Sequence, residues 1–143
     1  MLTMEQPLQL QFQMQSKTKR VMLIDDNEID LKINAKLISL TKLFEEIIIC
    51  QSGGEALNYL NKHLQDQDKL PTFILLDIQM PEMDGFEFLN YYKAFSKSFT
   101  DNCPVAMLSS TLDFGDIQRA EANPYVIKLL KKPFSPKELL ALL

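Results

Sequence analysis

Five polar residues stand at or just past the ends of short apolar runs, and their types suit the chemistry of a phosphoryl group. They are Asp25, Asp26, Asp77, Ser109 and Lys132. Carboxylates held close together repel one another, and a hard divalent cation such as Mg²⁺ relieves this by taking oxygen ligands while keeping some of its waters. Such a cation can also hold phosphate oxygens, which a lysine ammonium and a serine hydroxyl then contact as well. These residue types together predict a site that forms an aspartyl phosphate.

These residues are far apart in the sequence, so the fold has to bring them together. Five short apolar runs alternate with amphipathic stretches. Near-continuous apolar runs are typical of strands buried on both faces of a parallel sheet. The runs are residues 21–24, 47–50, 73–76, 105–108 and 126–130. We therefore expect five strands, with each polar residue at the carboxyl end of one of them.

The stretches between the runs carry the signals of helices. Apolar residues recur every three or four positions within residues 29–37, 57–64 and 88–95, as on the buried face of a helix. A capping side chain also stands three residues before a carboxylate at three places. These pairs are Ser52 with Glu55, Asp84 with Glu87, and Ser135 with Glu138. Pro136 follows at a first helical turn, where its missing N–H is tolerated.

The strict alternation of strand and helix predicts an α/β fold. Right-handed crossovers then produce an open, doubly wound parallel sheet with helices on both faces. Ligands of such sheets bind outside the carboxyl ends of the strands, so the three acids, the serine and the lysine are expected to meet at one rim. We expect a single domain over residues 19–143 and a flexible N-terminal tail over residues 1–18, which are rich in Gln and Met.

Composition and charge exclude several classes of protein. The chain has 143 residues, of which 46% are hydrophobic and 24% charged, as in an average soluble globular domain. A net charge of −4 without a basic stripe argues against direct nucleic-acid binding, and no apolar run approaches the roughly 18 residues that span a bilayer. Cys50 and Cys103 lack metal-type spacing and are predicted to be buried thiols in a reducing cytoplasm. The only histidine, His63, lies away from the predicted rim.

Each of these signals is weak when taken alone. An Asp-Asp pair is common as a helix cap or in a solvated loop, Ser109 and Ser110 are also placed to cap the next helix, and a Lys-Pro pair after a strand is usually a turn. The conjunction is specific, because each piece follows a different predicted strand and all of them fall at the same edge of the sheet.

In four motifs the sequence resembles the response regulator receiver family of two-component signalling proteins, to which the chemotaxis regulators belong. The resemblance covers about residues 19–143. It is carried by VMLIDD at residues 21–26, LLDIQMPEMDG at 75–85, MLSS at 107–110 and KPF at 132–134. The family resemblance implies a flavodoxin-like (βα)₅ three-layer sandwich whose five parallel strands lie in the order 2-1-3-4-5.

The resemblance also implies a role for each acidic residue. Asp77 would be the phosphoacceptor. Asp26 and the carboxylate of Asp77 would bind Mg²⁺ directly, the main-chain carbonyl of Gln79 would complete the protein ligands, and Asp25 would act mainly through water. An amide at Gln79 could orient water or shield the acyl phosphate, and both interpretations remain open.

Two further residues receive roles from the resemblance. Ser109 occupies the switch position, where the hydroxyl moves toward the phosphoryl group once it is present. Lys132, and not Lys131, would pair with that group, and Pro133 would follow a cis peptide bond. One position departs from the family pattern: Leu129 stands where an aromatic residue is common, so whether the usual coupling of hydroxyl and aromatic side chain operates here stays open.

Three other functions fit these residues less well than a receiver does. In a phosphatase of the haloacid-dehalogenase type, the nucleophile follows the first strand and a second Asp stands two residues on, whereas Asp25 and Asp26 are adjacent and Gln79 stands two past Asp77. A receiver-like module used only for binding would lack an acid or the lysine, and all are present. A flavodoxin-like redox protein would carry a phosphate-cradling loop after the first strand, where the two aspartates stand instead.

The expected function is that of a stand-alone receiver in a phosphorelay. Asp77 would accept a phosphoryl group from a histidine kinase or a histidine phosphotransfer protein, and phosphorylation would change binding to a downstream protein of unknown identity. The chain would not be a conventional enzyme, although it would catalyse its own phosphorylation and dephosphorylation. We expect it in the cytoplasm, with Mg²⁺ as its cofactor and without direct contact with nucleic acid or membrane.

Overall fold

A computed structural model of the protein describes residues 19–143, and its centre is a five-stranded parallel sheet. The strands are β1 (Arg20–Ile24), β2 (Glu46–Cys50), β3 (Phe73–Asp77), β4 (Val105–Ser109) and β5 (Val126–Lys131). They lie in the order β2-β1-β3-β4-β5, and each neighbouring pair is parallel. The predicted strands and the doubly wound, flavodoxin-like order 2-1-3-4-5 are confirmed.

Successive residues of the central strands point to opposite faces of the sheet, and both faces are covered by apolar cores. In β1, Met22 and Ile24 belong to one core, whereas Val21 and Leu23 belong to the other. All five residues of β1, β3 and β4 are buried. Burial on both faces explains why these runs contain so few polar residues before their carboxyl ends.

Within residues 19–143, six helices connect and cover the strands. They are α1 (Glu28–Thr41), α2 (Gly53–Lys62), α3 (Gly85–Tyr92), α4 (Lys97–Thr100), α5 (Phe114–Ala122) and α6 (Pro136–Leu140). Helices α1 and α6 contribute Leu31, Ile38 and Leu139 to the core on one face. Helices α2, α3 and α5 cover the other face, which completes the three layers.

The predicted helix starts are confirmed in detail. Complete capping boxes open α3 at Asp84 and α6 at Ser135, and Pro136 stands in the first turn of α6. At the start of α2, the Ser52 hydroxyl accepts from the Glu55 N–H. The Glu55 carboxylate there accepts from the Gln51 N–H at 2.8 Å, so it satisfies the amide just before the cap.

The third helix is shorter than predicted. Helix α3 ends at Tyr92, and the extended backbone of Ser96, which precedes α4, separates the two helices. Phe95 and Phe99 pack against the Tyr92 ring, with centroid distances of 6.1 and 5.8 Å. The aromatic residue that keeps the predicted helical spacing, Phe95, therefore packs against Tyr92 although it lies beyond the end of the helix. Leu64 likewise lies beyond the end of α2 and is 41% exposed.

The predicted tail, residues 1–18, lies outside the described residues. Within the described range, 19–143, none of the helices is both long and apolar enough to cross a membrane. Both thiols predicted to be buried, Cys50 and Cys103, are buried and free. Burial raises the pKa of each to about 12, so both stay protonated and pack as small apolar groups.

Candidate functional site

Three carboxylates meet at the carboxyl ends of two neighbouring strands. Asp25 and Asp26 follow β1, and Asp77 is the last residue of β3, which pairs with β1 through Ile24 and Leu76. One carboxylate oxygen from each acid lies within 4.8 Å of the other two. Asp25 and Asp77 are buried, whereas Asp26 is exposed. Three oxygen donors with one side open to solvent fit a hard divalent cation.

The electrostatics of Asp77 reflect this crowding. Burial and, after it, the negative charge of Asp25 raise the pKa of the Asp77 carboxyl to about 7, although the Lys132 ammonium opposes both effects. A carboxyl group with this pKa is partly protonated at neutral pH when no cation is bound. A cation at the site would favour the ionised form, which is the nucleophilic one.

The ammonium group of Lys132 is surrounded by carboxylates. Its Nζ lies 3.1 Å from Asp25 Oδ2, 2.8 Å from Asp30 Oδ2 and 3.4 Å from Asp77 Oδ1. Burial alone would lower the pKa of Lys132, but the hydrogen bond to Asp30 and the charges of Asp77 and Asp25 outweigh it and raise the pKa above its usual value. The lysine is therefore a permanent positive charge. The peptide bond between Lys132 and Pro133 is cis, and the Lys131 side chain is exposed.

Asp30 belongs to this site although the sequence reasoning missed it. It lies in the first turn of α1, where an acidic residue is ordinarily explained by the helix dipole. It also stands four residues after Asp26, and α1 begins at the rim, so the first turn of the helix returns its carboxylate to Lys132. That spacing is the signal that could have identified it.

Ser109 ends β4, the strand beside β3, and its hydroxyl bonds within its own loop. The Oγ atom donates to the Thr111 carbonyl oxygen and accepts from the Thr111 N–H. Helix α5 is capped by Asp113, whose carboxylate accepts from the Gly115 N–H. The serine therefore does not cap the helix, which was the alternative explanation for a hydroxyl at this place.

The loop after β3 carries Gln79 and is held by backbone contacts. The Ile78 N–H donates to the Leu108 carbonyl at 2.9 Å, and the Gly85 N–H donates to the Ile78 carbonyl at 2.8 Å. Gln79 is exposed and borders an open cavity of about 480 Å³ together with Arg119. The bond from Gly85 returns the loop to the sheet beside Asp77, where Asp84 caps α3.

A side chain at Gly85 would disrupt this loop. A Cβ atom there would lie 2.6 Å from the Asp77 carbonyl oxygen and 3.1 Å from the Ile78 Cα. Both neighbours are backbone atoms, which cannot rotate away. The absence of a side chain at residue 85 therefore allows the start of α3 to approach the strand end that carries Asp77.

At the position that departs from the family pattern, Leu129 packs half-buried against an apolar core. The nearby aromatic residue Tyr125 packs edge-on against Tyr92 with a centroid distance of 5.7 Å. Phe134, the other aromatic residue close in sequence, is buried in the core on the opposite face. These two rings therefore serve packing in this conformation.

Comparison with known proteins matches this architecture. The chain matches the response regulator receiver domain family over residues 21–143. The histidine kinase CKI1 of Arabidopsis thaliana is 35% identical over 98 residues, which are 64% of this chain but only 9% of that protein. The polar-differentiation response regulator DivK of Brucella ovis is 31% identical over 119 residues, covering 81% of this chain and 89% of DivK.

A solved structure shows the same likeness in three dimensions. The crystal structure of a two-component response regulator from Cytophaga hutchinsonii superposes with a TM-score of 0.81 at 34% sequence identity, covering 88% of this chain and 94% of that one. The family match includes all five strands, except for Arg20 at the start of β1, and all residues of the rim. The chain therefore belongs to the response regulator receiver domain family of two-component systems.

Proposed function

We propose that Asp77 accepts a phosphoryl group from a histidine kinase or a histidine phosphotransfer protein in a Mg²⁺-dependent reaction. The observation that carries this proposal is the meeting of the Asp25, Asp26 and Asp77 carboxylates at one rim, with the Lys132 ammonium 3.4 Å from Asp77 Oδ1. A nucleophilic carboxylate, oxygen ligands for a cation and a fixed positive charge are the parts that phosphoryl transfer requires.

The residues of the rim would bind Mg²⁺ in two ways, directly or through water. Asp26 and Asp77 would hold Mg²⁺ directly, with the main-chain carbonyl of Gln79. Both oxygens of Asp25 already accept hydrogen bonds, Oδ1 from the Asn27 N–H at 3.0 Å and Oδ2 from Lys132 at 3.1 Å, which supports a contact through water for this residue. The cation would neutralise charge on the acids and on the incoming phosphoryl oxygens.

In the transfer itself, an oxygen of Asp77 forms a bond to phosphorus while the bond from phosphorus to the donor's histidine nitrogen breaks. The nitrogen keeps the electron pair of the broken bond, and the imidazole leaves neutral because the donor's ring reacts with its other nitrogen already protonated. Lys132 stays protonated and stabilises the negative charge of the phosphoryl oxygens. No side chain has to act as a general base, because a carboxylate is already a nucleophile.

Phosphorylation would be read out through a change of conformation. The Ser109 hydroxyl would leave the Thr111 backbone and donate to a phosphoryl oxygen, which favours a second arrangement of the loop after β4. That loop leads into α5, so the surface offered to a downstream protein would change. In this proposal residues 19–143 are a regulatory receiver domain preceded by a tail at residues 1–18, and the chain acts in the cytoplasm, which the free thiols of Cys50 and Cys103 suit.

Intact-mass spectrometry after incubation with acetyl phosphate tests the proposal. The parent protein should gain the mass of one phosphoryl group in the presence of Mg²⁺ and none when EDTA replaces the metal. Asp77→Asn should gain none under either condition. A parent protein that stays unmodified, and that also fails to bind beryllofluoride, would refute the proposed function.

A further inference from the structure

The contacts of the Lys132 ammonium are unequal, and the shortest is not with the proposed phosphoacceptor. Asp30 Oδ2 lies 2.8 Å from Nζ, Asp25 Oδ2 lies at 3.1 Å and Asp77 Oδ1 at 3.4 Å. An ammonium group has three N–H donors, and here it donates hydrogen bonds to Asp30 and Asp25, whereas its contact with Asp77 is an ion pair without a hydrogen bond. Asp77, which would carry the phosphoryl group, has the longest of the three contacts.

We propose that Asp30 is a positioning residue that competes with Asp77 for the Lys132 ammonium. The inference rests on the proposed function and deepens it. In the unphosphorylated protein, Asp30 holds the ammonium on the α1 side of the rim. A phosphoryl group on Asp77 then has to draw the ammonium away from Asp30, so the contact with Asp30 opposes occupancy of the site.

The start of α1 makes Asp30 a fixed competitor. The Asn27 side chain caps the helix by accepting from the Asp30 N–H at 3.0 Å, which fixes the backbone of Asp30. Lys132 is held at its own backbone, where its N–H donates to the Ser109 carbonyl. Because both backbones are held, these contacts change by rotation of the side chains, and a shift of the ammonium toward Asp77 lengthens its contact with Asp30.

The solvent exposure of the two side chains determines how strongly Asp30 should compete for the ammonium. The side chain of Asp30 is 34% exposed and that of Lys132 is 10% exposed, so solvent partly screens their attraction. Ion pairs of this kind contribute modestly. Removing the charge of Asp30 should therefore tighten binding of a phosphoryl mimic by roughly three- to tenfold.

Four variants separate competition for Lys132 from simpler effects. Asp30→Asn keeps the shape of the side chain and removes its charge, and Asp30→Ala removes the contact altogether in case the amide finds a new one. Asp30→Glu keeps the negative charge and should restore parental behaviour. Glu28→Gln makes the same change of charge in the same helical turn, at an exposed residue that has no ion pair with Lys132.

The experiment is a titration of the full chain with beryllofluoride in excess Mg²⁺, with a separate titration of Mg²⁺ alone. We expect Asp30→Asn and Asp30→Ala to bind beryllofluoride three- to tenfold more tightly than the parent. Asp30→Glu and Glu28→Gln should stay close to the parent. The affinity for Mg²⁺ alone should not rise in Asp30→Asn, since that variant loses a nearby negative charge.

Several results would overturn the inference. They are unchanged or weaker beryllofluoride binding in both Asp30→Asn and Asp30→Ala, an equal gain in Glu28→Gln, or a gain explained by tighter Mg²⁺ binding. In each of these cases the parent still binds beryllofluoride and the proposed function stands. A parent protein that binds no beryllofluoride at all would instead refute the proposed function, and this inference with it.

Discussion

The backbone N–H of Lys132 donates a hydrogen bond to the carbonyl oxygen of Ser109 at 2.8 Å. This bond continues the pairing of Ser109 with Lys131 between β4 and β5. The backbones of the two residues are thus joined, while the hydrogen bonds of the Ser109 hydroxyl within residues 19–143 are with the backbone of Thr111 in its own loop. The hydroxyl can therefore rotate toward Asp77 without displacing the lysine.

Replacing Ser109 by alanine should weaken the phosphorylated conformation while leaving the fold intact. The variant loses a hydroxyl that would donate to a charged phosphoryl oxygen, so beryllofluoride should bind roughly tenfold more weakly. Ser109→Thr keeps the hydroxyl and serves as the control. The measurements are a beryllofluoride titration and a thermal unfolding curve of each variant. Equal affinity in Ser109→Ala and the parent would show that the hydroxyl does not contact the phosphoryl group.

The metal-free protein should lose stability as the pH rises from about 4 to about 7. The pKa of Asp77 is raised from 3.8 to about 7 by burial and by the charge of Asp25. In this window the folded protein keeps a proton that the unfolded chain has released, so deprotonation favours unfolding, by roughly 2 to 4 kcal/mol across the window. Lys132 has a raised pKa, and its contribution to stability is lost only above the pKa of the unfolded lysine, outside this window.

Urea unfolding in EDTA at several pH values measures this loss. Asp77→Asn is the control, because an amide does not titrate and the variant should be the more stable protein near neutral pH. Mg²⁺ should also reduce the slope in the parent, since the cation stabilises the ionised acids. If the parent and Asp77→Asn change in parallel between about pH 4 and about pH 7, the loss does not originate at Asp77.

Replacing Gly85 by alanine should damage both the fold and the site. The added Cβ would lie 2.6 Å from the Asp77 carbonyl oxygen, so the backbone at residue 85 or at Asp77 has to shift. We expect a loss of roughly 1 to 3 kcal/mol in the free energy of unfolding and slower phosphorylation by acetyl phosphate, because the shift displaces the strand end that carries Asp77.

Gly54→Ala is the matched control for this substitution. Gly54 also lies in the first turn of a helix, α2, but a Cβ there has only the Ser52 hydroxyl oxygen nearby, at 3.9 Å. The helical preference of alanine should leave stability unchanged or raise it by about 0.5 to 1 kcal/mol. If both glycine variants unfold at the same urea concentration, close approach at Gly85 is not what positions the loop.

The rim of acids could be predicted from sequence because its residues are tied to strand ends. Apolar runs mark where β1 and β3 end, and the parallel order of an α/β fold then brings Asp25, Asp26 and Asp77 to one edge. Capping pairs identified the starts of α2, α3 and α6 for a similar reason. In both cases a local pattern in the chain determines the position of the side chain.

The features that escaped prediction depend on contacts rather than on local pattern. The spacing of Asp30 from Asp26 places Asp30 near the rim, but its contact with Lys132 also depends on the distance between α1 and the loop after β5. Helix α3 ends at Tyr92, although Phe95 keeps the helical spacing, and Phe95 and Phe99 then pack against the Tyr92 ring. The hydrogen bonds of the Ser109 hydroxyl depend on the course of an irregular loop.

The most direct test of the central claim is to find which residue carries the phosphoryl group. After incubation with acetyl phosphate and Mg²⁺, borohydride reduction converts an acyl-phosphorylated aspartate to homoserine, which peptide mass spectrometry can locate. We predict conversion of Asp77 alone, and none in the absence of Mg²⁺. Conversion at Asp25 or Asp26, a phosphate ester on Ser109, or no modification of the chain at all would contradict the claim that Asp77 is the phosphoacceptor.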